Sequence, residues 1–369
     1  MRIAVDAMGG DKAPGAVVEG AVRAAAELAV EIVLVGQREV VEQELARHSS
    51  HSAIEVVSAS QVVAMSESPA ATLKKRDSSM MVAFDLVQQD KAQAVVSAGN
   101  SGAVMATGMF VLGNLSGVER PAILCVIPTL SKGTVIIDAG ANVDCKPRHL
   151  LQFGLMGSIY AERVLGILRP RVGVLSNGEE ESKGNELTRS ASELLRAAPL
   201  NYIGYIEGRD IASGSVDVVV CDGFTGNVVL KTMEGTASFV IGVLKQAFGS
   251  GLLSKLGYLM SRKSLGEGYA RLDYAEYGGA PLMGLGGIAI IAHGGSSSKA
   301  IKNAIRVAKE AVLHDVNRHI IEVLDVLGEG QTGKTARPLR QKIRTTIEAV
   351  EEEAGAVTGE REGKSGRGS

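Results

Sequence analysis

Tryptophan is absent from this 369-residue chain, which holds only 6 Phe and 7 Tyr. Its core must be built from Val, Ile, Leu, Ala and Met, as in a parallel sheet covered on both faces. The three cysteines (Cys125, Cys145 and Cys221) lack CxxC spacing. They give no metal signature, and an odd, small count points to a reducing compartment. No apolar stretch reaches the roughly 18–20 residues of a membrane span. The first residues, MRIAVDAMGG, read as a strand with an Asp inside it rather than a signal peptide, so a cytoplasmic protein is expected. Net charge is −2, which argues against general nucleic-acid binding. A GxSxG elbow, an HExxH helix and clustered His or Cys are all missing. Covalent and metal catalysis thus find no support, and neither a metal nor a cofactor is expected.

Glycine, by contrast, is plentiful at 45 residues, with no collagen-like period. Many of these glycines follow one pattern. Six times an apolar, β-branched run stops in small polar residues: Ile3–Asp11, Ala94–Ala103, Val135–Asp144, Val172–Asn185, Val218–Asn227 and Ile288–Lys299. A buried strand ending this way before a helix is a β–loop–α unit. Repeated, it builds an α/β fold with a parallel sheet whose strand ends carry polar loops, where ligands sit. Glycine-rich loops that open helices favour phosphate or another anion.

The full pattern predicts strands at 2–6, 31–36, 54–58, 93–97, 122–128, 133–138, 171–176, 201–206, 216–221 and 288–293. Helices are predicted at 15–29, 38–47, 78–90, 101–113, 146–167, 184–197, 225–248, 297–327 and 334–354. TLSKG between two adjacent strands suggests one antiparallel hairpin. The expected organisation is an α/β domain over 1–330, a C-terminal helix over 331–355 and a disordered polar tail over 356–369. Residues 249–283 break the rhythm and show no clear strand. There Leu252, Leu253, Leu256 and Leu259 gather beside Lys255, Arg262 and Lys263. A helical hairpin packed on its own domain or on a second copy is one reading. An exposed apolar tip with a basic rim, able to touch a membrane, is the other.

Two motifs mislead. Gly328–Thr335 matches GxxxxGK[ST], but a long helix precedes it and no strand bearing a magnesium-binding Asp follows. Gly284–Ala289 matches a relaxed GxGxxA, but it comes before a strand, not after one.

The strand-end loops hold the candidate chemistry. Asn100 or Ser101 would cap a helix, and Gly102 lets backbone approach a ligand. Gly294, Gly295, Ser296, Ser297 and Ser298 offer more donors at a helix start than capping needs, with His293 and Lys299 beside them. Asp138, Asn142, Asp144 and Lys146 follow one strand, and Asp6 ends another. Lys183 and Asn185 are better ligand candidates than the solvated run Glu179–Glu181. Asp222 and Asn227 start a helix that carries Lys231 one turn on. Cys145 reads as a small, semi-buried filler rather than a nucleophile. Such loops position anions and stabilise developing negative charge.

Taken as a set, MRIAVDAMGGDKAP, SAGNSGA, DAGANVDCKP, SNGEEESKGNE, CDGFTGNVVLKT and AHGGSSSKAIKNAI resemble the PlsX family of phosphate acyltransferases. The resemblance runs from Met1 to about Leu327. It implies a three-layer α/β/α fold with a mostly parallel sheet, similar to phosphotransacetylases and isocitrate/isopropylmalate dehydrogenases. It also implies that inorganic phosphate attacks a long-chain acyl thioester on acyl carrier protein, giving acyl phosphate for bacterial phospholipid synthesis. Homodimers, peripheral membrane contact and a downstream glycerol-3-phosphate acyltransferase are implied as partners. Under that chemistry Asn100, Ser101, Gly102 and Gly294–Ser297 would hold phosphate. Lys183, Lys231, His293 and Asn227 would neutralise charge or move a proton. The basic rim of the 249–283 tip would receive acidic carrier protein or anionic lipid. The alternatives are a short-chain acyl-CoA phosphotransferase, a dehydrogenase on the same fold, and a non-catalytic anion- or lipid-binding scaffold.

Overall fold

The computed structural model describes residues 1–48, 53–129, 133–272, 276 and 278–332. Every predicted strand forms within a few residues of its expected bounds. The first half runs β1 (Arg2–Asp6), α1 (Gly15–Leu28), β2 (Glu31–Gly36), α2 (Arg38–Leu45), β3 (Ile54–Ser58), α3 (Pro69–Thr72), α4 (Ser79–Gln88), β4 (Ala94–Ser97) and α5 (Ser101–Val111). The expected hairpin follows, β5 (Ala122–Ile127) with β6 (Thr134–Ile137). Next come α6 (Pro147–Arg163), β7 (Arg171–Leu175), α7 (Glu186–Ala197), β8 (Asn201–Ile206), α8 (Gly208–Ser213) and β9 (Val218–Val220). Two long helices, α9 (Gly223–Gly249) and α10 (Leu252–Leu272), precede β10 (Ala280–Met283), β11 (Ile288–Ile291), α11 (Ser298–Leu313) and α12 (Val316–Thr332).

The described strands form one sheet in the order β3-β2-β1-β4-β11-β10-β5-β6-β9-β7-β8. The five strands from β3 to β11 are mutually parallel. So are the four from β6 to β8. Between the sets, β10 is antiparallel to both β11 and β5, and β5 is antiparallel to β6. Three reversals leave the two parallel sets running in opposite directions. The sheet is mostly parallel, but the single row of strand-end loops read from the sequence becomes two rows, each at the carboxyl ends of its own strands and facing opposite ways.

Alternation along the first set explains the three layers. Ile3, Val5, Ile32, Leu34, Val96 and Ile290 pack on one face, against α1 and α11. Ala4, Val33, Val35, Val95, Ala289 and Ile291 pack on the other, against α4 and α5. Strands apolar on both faces are what a covered parallel sheet requires.

Four elements differ from the sequence prediction. β10 lies inside the 249–283 region; it is short, and Pro281 lacks the N–H that marks a strand. α3 and α8 are single short turns. The helix predicted at 297–327 breaks where Asp315 takes φ 49°. The Gly284 turn, φ 89°, leads into β11 as read. Met1–Ile320 is one compact unit, and the described residues from Ile321 on fall outside it. Gly328–Thr332 is helical. The rest of the GxxxxGK[ST] match, most of the 331–355 helix and the 356–369 tail lie outside the described residues. Among those residues, no helix is long and apolar enough to cross a membrane.

Candidate active site

The first loop cluster gathers at the ends of β1, β4 and β11, where strand pairing sets Ser97 beside Ile291. After β4, Asn100 caps α5, its Oδ1 accepting the Ala103 N–H at 3.0 Å. After β11, Ser297 caps α11 by accepting the Ala300 N–H at 3.3 Å. The predicted glycine and serine turns therefore open two helices on neighbouring strands. Each leaves first-turn N–H groups without helical acceptors, which is what attracts an anion. Ser296 is 4% exposed, and its Oγ is buried with no hydrogen-bond partner. A buried hydroxyl with no partner among the described residues is free to bond a ligand. The His293 Nδ1 accepts the Gly295 N–H at 3.0 Å.

The loop after β1 braces both turns, a role that sequence reading missed. The Asp11 N–H donates to the Gly294 carbonyl at 2.8 Å, and Lys12 Nζ donates to the Gly295 carbonyl at 2.7 Å. Gly10 needs its positive φ of 102°, because a Cβ there would lie 3.0 Å from the Gly294 oxygen. GGDK at a strand end was the available signal. Asp6 itself is buried, not a cleft group. Burial pushes its carboxyl up, against hydrogen bonds from Ser79, Ser97, Met8 and Gly9 that pull it down.

A strap covers this cluster. Residues 61–78 leave and rejoin the fold at one neck, with a bridge between Gln61 and Ser78. Inside it, Lys75 Nζ bonds the Val62 carbonyl and pairs with Glu67 at 2.5 Å. Met65 lies at its tip. The Met65 carbonyl accepts from Asn100 Nδ2 at 2.7 Å, and a Cβ on Gly294 would come 2.6 Å from the Met65 methyl. Both polar ends of the Asn100 side chain are thus engaged.

The second cluster forms at the ends of β6 and β9. Asp138 is fully buried and organises its own loop. Its Oδ1 accepts N–H groups of Ile123, Gly140 and Ala141 at 3.0, 3.1 and 2.9 Å. Its Oδ2 accepts the Asn142 N–H and Nδ2 at 2.7 and 2.8 Å. Burial raises its pKa against these bonds. Asn142 is equally committed, since Nδ2 also reaches the Pro121 carbonyl at 2.8 Å. Gly226 sits against the Asp138 carbonyl so tightly that a Cβ there would collide with it. Asp222 caps α9 through the Thr225 N–H at 2.9 Å. That cap brings Asn227 against Gly140, 3.6–3.7 Å from where its Cβ would stand. Lys231, one turn further, pairs with Glu234 at 2.8 Å and is half exposed.

Cys145 and Cys221 donate to the carbonyls of Asn142 and Asp138. Burial first, and then the Asp138 charge, push the Cys145 thiol up to about 12. It is a packing group, as read, with no thiolate character. Asp144 and Lys146 are exposed at the rim. Beside them His149 is buried, its Nδ1 accepting the Lys146 N–H at 3.1 Å and its Nε2 facing Glu119 at 3.3 Å. Burial depresses its pKa most; the Glu119 carboxylate pulls it back up, and the charges of Arg120 and Lys146 lower it further.

Lys183 and Asn185 lie on the loop after β7, in the same parallel set. Asn185 caps α7 through the Thr188 N–H at 2.9 Å. Lys183 is exposed and packs its stem against Gly178. A cleft of about 450 Å³ beside this loop is lined by Glu181, Arg189, Ser192, Arg196 and Tyr205, none of them a predicted site residue. The predicted residues therefore fall into two groups, with Asn100, Ser101, Gly102 and His293–Ser297 in one and Asp138–Lys146, Asp222, Asn227 and Lys231 in the other. The apolar tip is helical. Leu253, Leu259 and Met260 are 86%, 65% and 83% exposed, with Leu256, Lys255, Arg262 and Lys263 also exposed. The Phe248 and Tyr258 rings meet at a tilt of 53° with centroids 5.6 Å apart, joining α9 to α10.

Comparison with known proteins places these loops in a family. A family model described as "Fatty acid synthesis protein" matches residues 1–319. A phosphate acyltransferase of Geobacter sp. (strain M21) is 58% identical over 327 residues, covering 88% of this chain and 93% of that protein. A phosphate acyltransferase of Geotalea uraniireducens (strain Rf4) is 57% identical over 326 residues, covering 88% and 94%. Among solved structures, a phosphotransacetylase from Streptococcus pyogenes superposes with a TM-score of 0.54 at 17% identity, over 87% of this chain and 94% of that one. At that identity the likeness is one of fold.

Proposed function

The chain belongs to this fatty acid synthesis protein family, and we propose that it carries a long-chain fatty acyl group from the thioester of acyl carrier protein to inorganic phosphate. The observation that carries the phosphate half is the first cluster. Two adjacent helix starts, the Asn100 and Ser297 turns, flank the buried and unpartnered Ser296 hydroxyl. A tetrahedral oxyanion there meets N–H and O–H donors.

The chemistry asks little covalent work of the protein. A phosphate oxygen attacks the thioester carbonyl carbon, the C–S bond breaks, and the carrier thiolate leaves and takes up a proton. Backbone donors and cations hold the reactants in line and stabilise the tetrahedral oxyanion between the two steps. We assign phosphate to Asn100, Ser101, Gly102 and Gly294–Ser297. Asn100 serves through its cap, since its side chain is already engaged. Lys231 and Asn227 at the start of α9, with Lys183 and His293, are assigned to charge neutralisation and proton transfer. Asp138, Asn142 and Asp222 shape the second cluster.

Acyl carrier protein is acidic, so the exposed rim of Lys255, Arg262 and Lys263 beside Leu253 and Leu259 is assigned to carrier protein or anionic lipid. The same helical pair is assigned to a homodimer contact. A peripheral place at the membrane would hand the acyl phosphate to a glycerol-3-phosphate acyltransferase. The decisive assay is phosphate-dependent release of carrier thiol from palmitoyl-acyl carrier protein, with acetyl-CoA as competitor. Strong preference for acetyl-CoA would replace this reading with a short-chain phosphotransferase.

A further inference from the structure

We propose that Asp6 is a positioning residue that fixes the spacing between the two turns assigned to phosphate. The inference rests on that assignment and adds the device that holds it in shape. Asp6 is 2% exposed, at the end of β1 between β2 and β4. It is too deep to touch the anion, and a carboxylate in contact with phosphate would repel it. Its work is done through neighbours on two sides.

On one side, Ser97 Oγ donates to Asp6 Oδ2 at 2.7 Å and accepts the Gly99 N–H at 3.1 Å. The carboxylate thereby orients the hydroxyl, and the hydroxyl holds the residue just before the Asn100 cap. On the other side, Asp6 shapes the loop that follows it. Its Oδ1 accepts the Met8 N–H at 3.2 Å. Gly9 lies so close that a Cβ would come 2.6 Å from Asp6 Oδ2 and 2.8 Å from the Gly99 nitrogen. The same loop then grips the Gly294–Gly295 turn through Asp11 and Lys12. One buried carboxylate thus ties the start of α5 to the brace on the start of α11. An anion held by both turns senses their separation, and small displacements of such donors weaken binding steeply.

Asp6→Asn tests this with little change of volume. Either orientation of the amide loses an acceptor: Nδ2 toward Ser97 leaves that hydroxyl proton without its partner and free to turn, and Nδ2 toward Met8 opposes the Met8 N–H. The Michaelis constant for phosphate should rise about tenfold, the scale of one hydrogen bond to a charged group. The turnover at saturating phosphate and the Michaelis constant for acyl carrier protein should stay within about twofold. Ser97→Ala, which removes only the hydroxyl relay, should give the same split in smaller measure, and it decides the matter if Asp6→Asn does not fold. A readout independent of turnover is the rise in Tm on adding inorganic phosphate, which should shrink in both variants. An unchanged Michaelis constant and an unchanged phosphate-induced rise in both variants would overturn the proposal. So would a fall in turnover alone. If the wild type is stabilised by phosphate but releases no carrier thiol, acyl transfer fails and the Tm shifts still decide the role of Asp6.

Discussion

Asp6 and Asp138 occupy matching places, each a buried aspartate followed by Ala at the end of a strand, yet they spend their oxygens differently. Asp138 turns inward. Four of its five hydrogen bonds go to Gly140, Ala141 and Asn142 in its own loop. Asp6 divides its bonds, accepting the Met8 N–H of its own loop and the hydroxyl of Ser97 on the neighbouring strand. The first pattern makes one loop rigid. The second makes several loops rigid with respect to each other. A site that grips an anion between separate turns needs the second; a site that presents a few side chains from one helix start needs only the first.

The strongest way to break the contrast is Asp138→Ala. Five donors lose their acceptor inside the protein, and unfolding in urea should show a loss of about 3 kcal/mol or more. Hydrogen exchange should quicken first at 139–146, with the loop after β4 protected as before. Equal loss of protection in both loops would mean that the clusters are one unit.

Lys231→Ala sharpens the functional side. Lys231 is half exposed and pairs with Glu234 at the surface. Stability should move by no more than about 0.5 kcal/mol. Turnover should drop about 100-fold if the group neutralises charge at the reacting atoms.

Ser296→Ala should act on the other parameter. Among the described residues nothing bonds its hydroxyl, so its removal should cost the fold little. The Michaelis constant for phosphate should rise about fivefold. If Lys231→Ala and Ser296→Ala changed the same constant, the division between the clusters would be false.

The smallest effect concerns His149, at the edge of the second cluster. Its pKa is lowered in the fold from the ordinary 6.5, with burial as the main cause. A depressed folded pKa means that the neutral ring stabilises the protein above the unfolded value. That stability is lost as pH falls from 6.5 toward the folded pKa. Protonation also removes the acceptor for the Lys146 N–H. The Tm should fall across this window by an amount worth about 1 kcal/mol or less, and His149→Gln should flatten the trend. A first-cluster variant such as Ser296→Ala should leave the trend as it is.

Much of this was legible in the sequence for a physical reason. Parallel strands buried on both faces must be nearly continuous apolar runs, so β1, β4, β6, β9 and β11 announce themselves. Their glycine and serine ends announce the helix caps, and Asn100, Asn185, Asp222 and Ser297 each cap as their residue types favour. What the sequence hid was direction. Local pattern showed the reversal at the β5–β6 hairpin but not those at β10, whose four residues, Pro281 among them, carry no strand signal. The two clusters therefore read as one. The strap at 61–78 was hidden too, because its hold on Asn100 uses the Met65 carbonyl, and a backbone acceptor leaves no trace in residue type.

The sheet order also sets a timetable for synthesis. The strands β6, β7, β8 and β9 all lie between residues 134 and 220, so their parallel set is complete once that stretch has emerged. The other set waits. Its fifth strand, β11, ends at residue 291 and pairs with β4, nearly two hundred residues upstream. A ribosome adding about 5–20 residues per second would leave the open edge of β4 uncovered for several seconds after the second set is finished. During that interval the long-range pairing that closes the sheet is the slow step, and the exposed AVVS edge is where a nascent chain is most open to a chaperone or to a wrong strand.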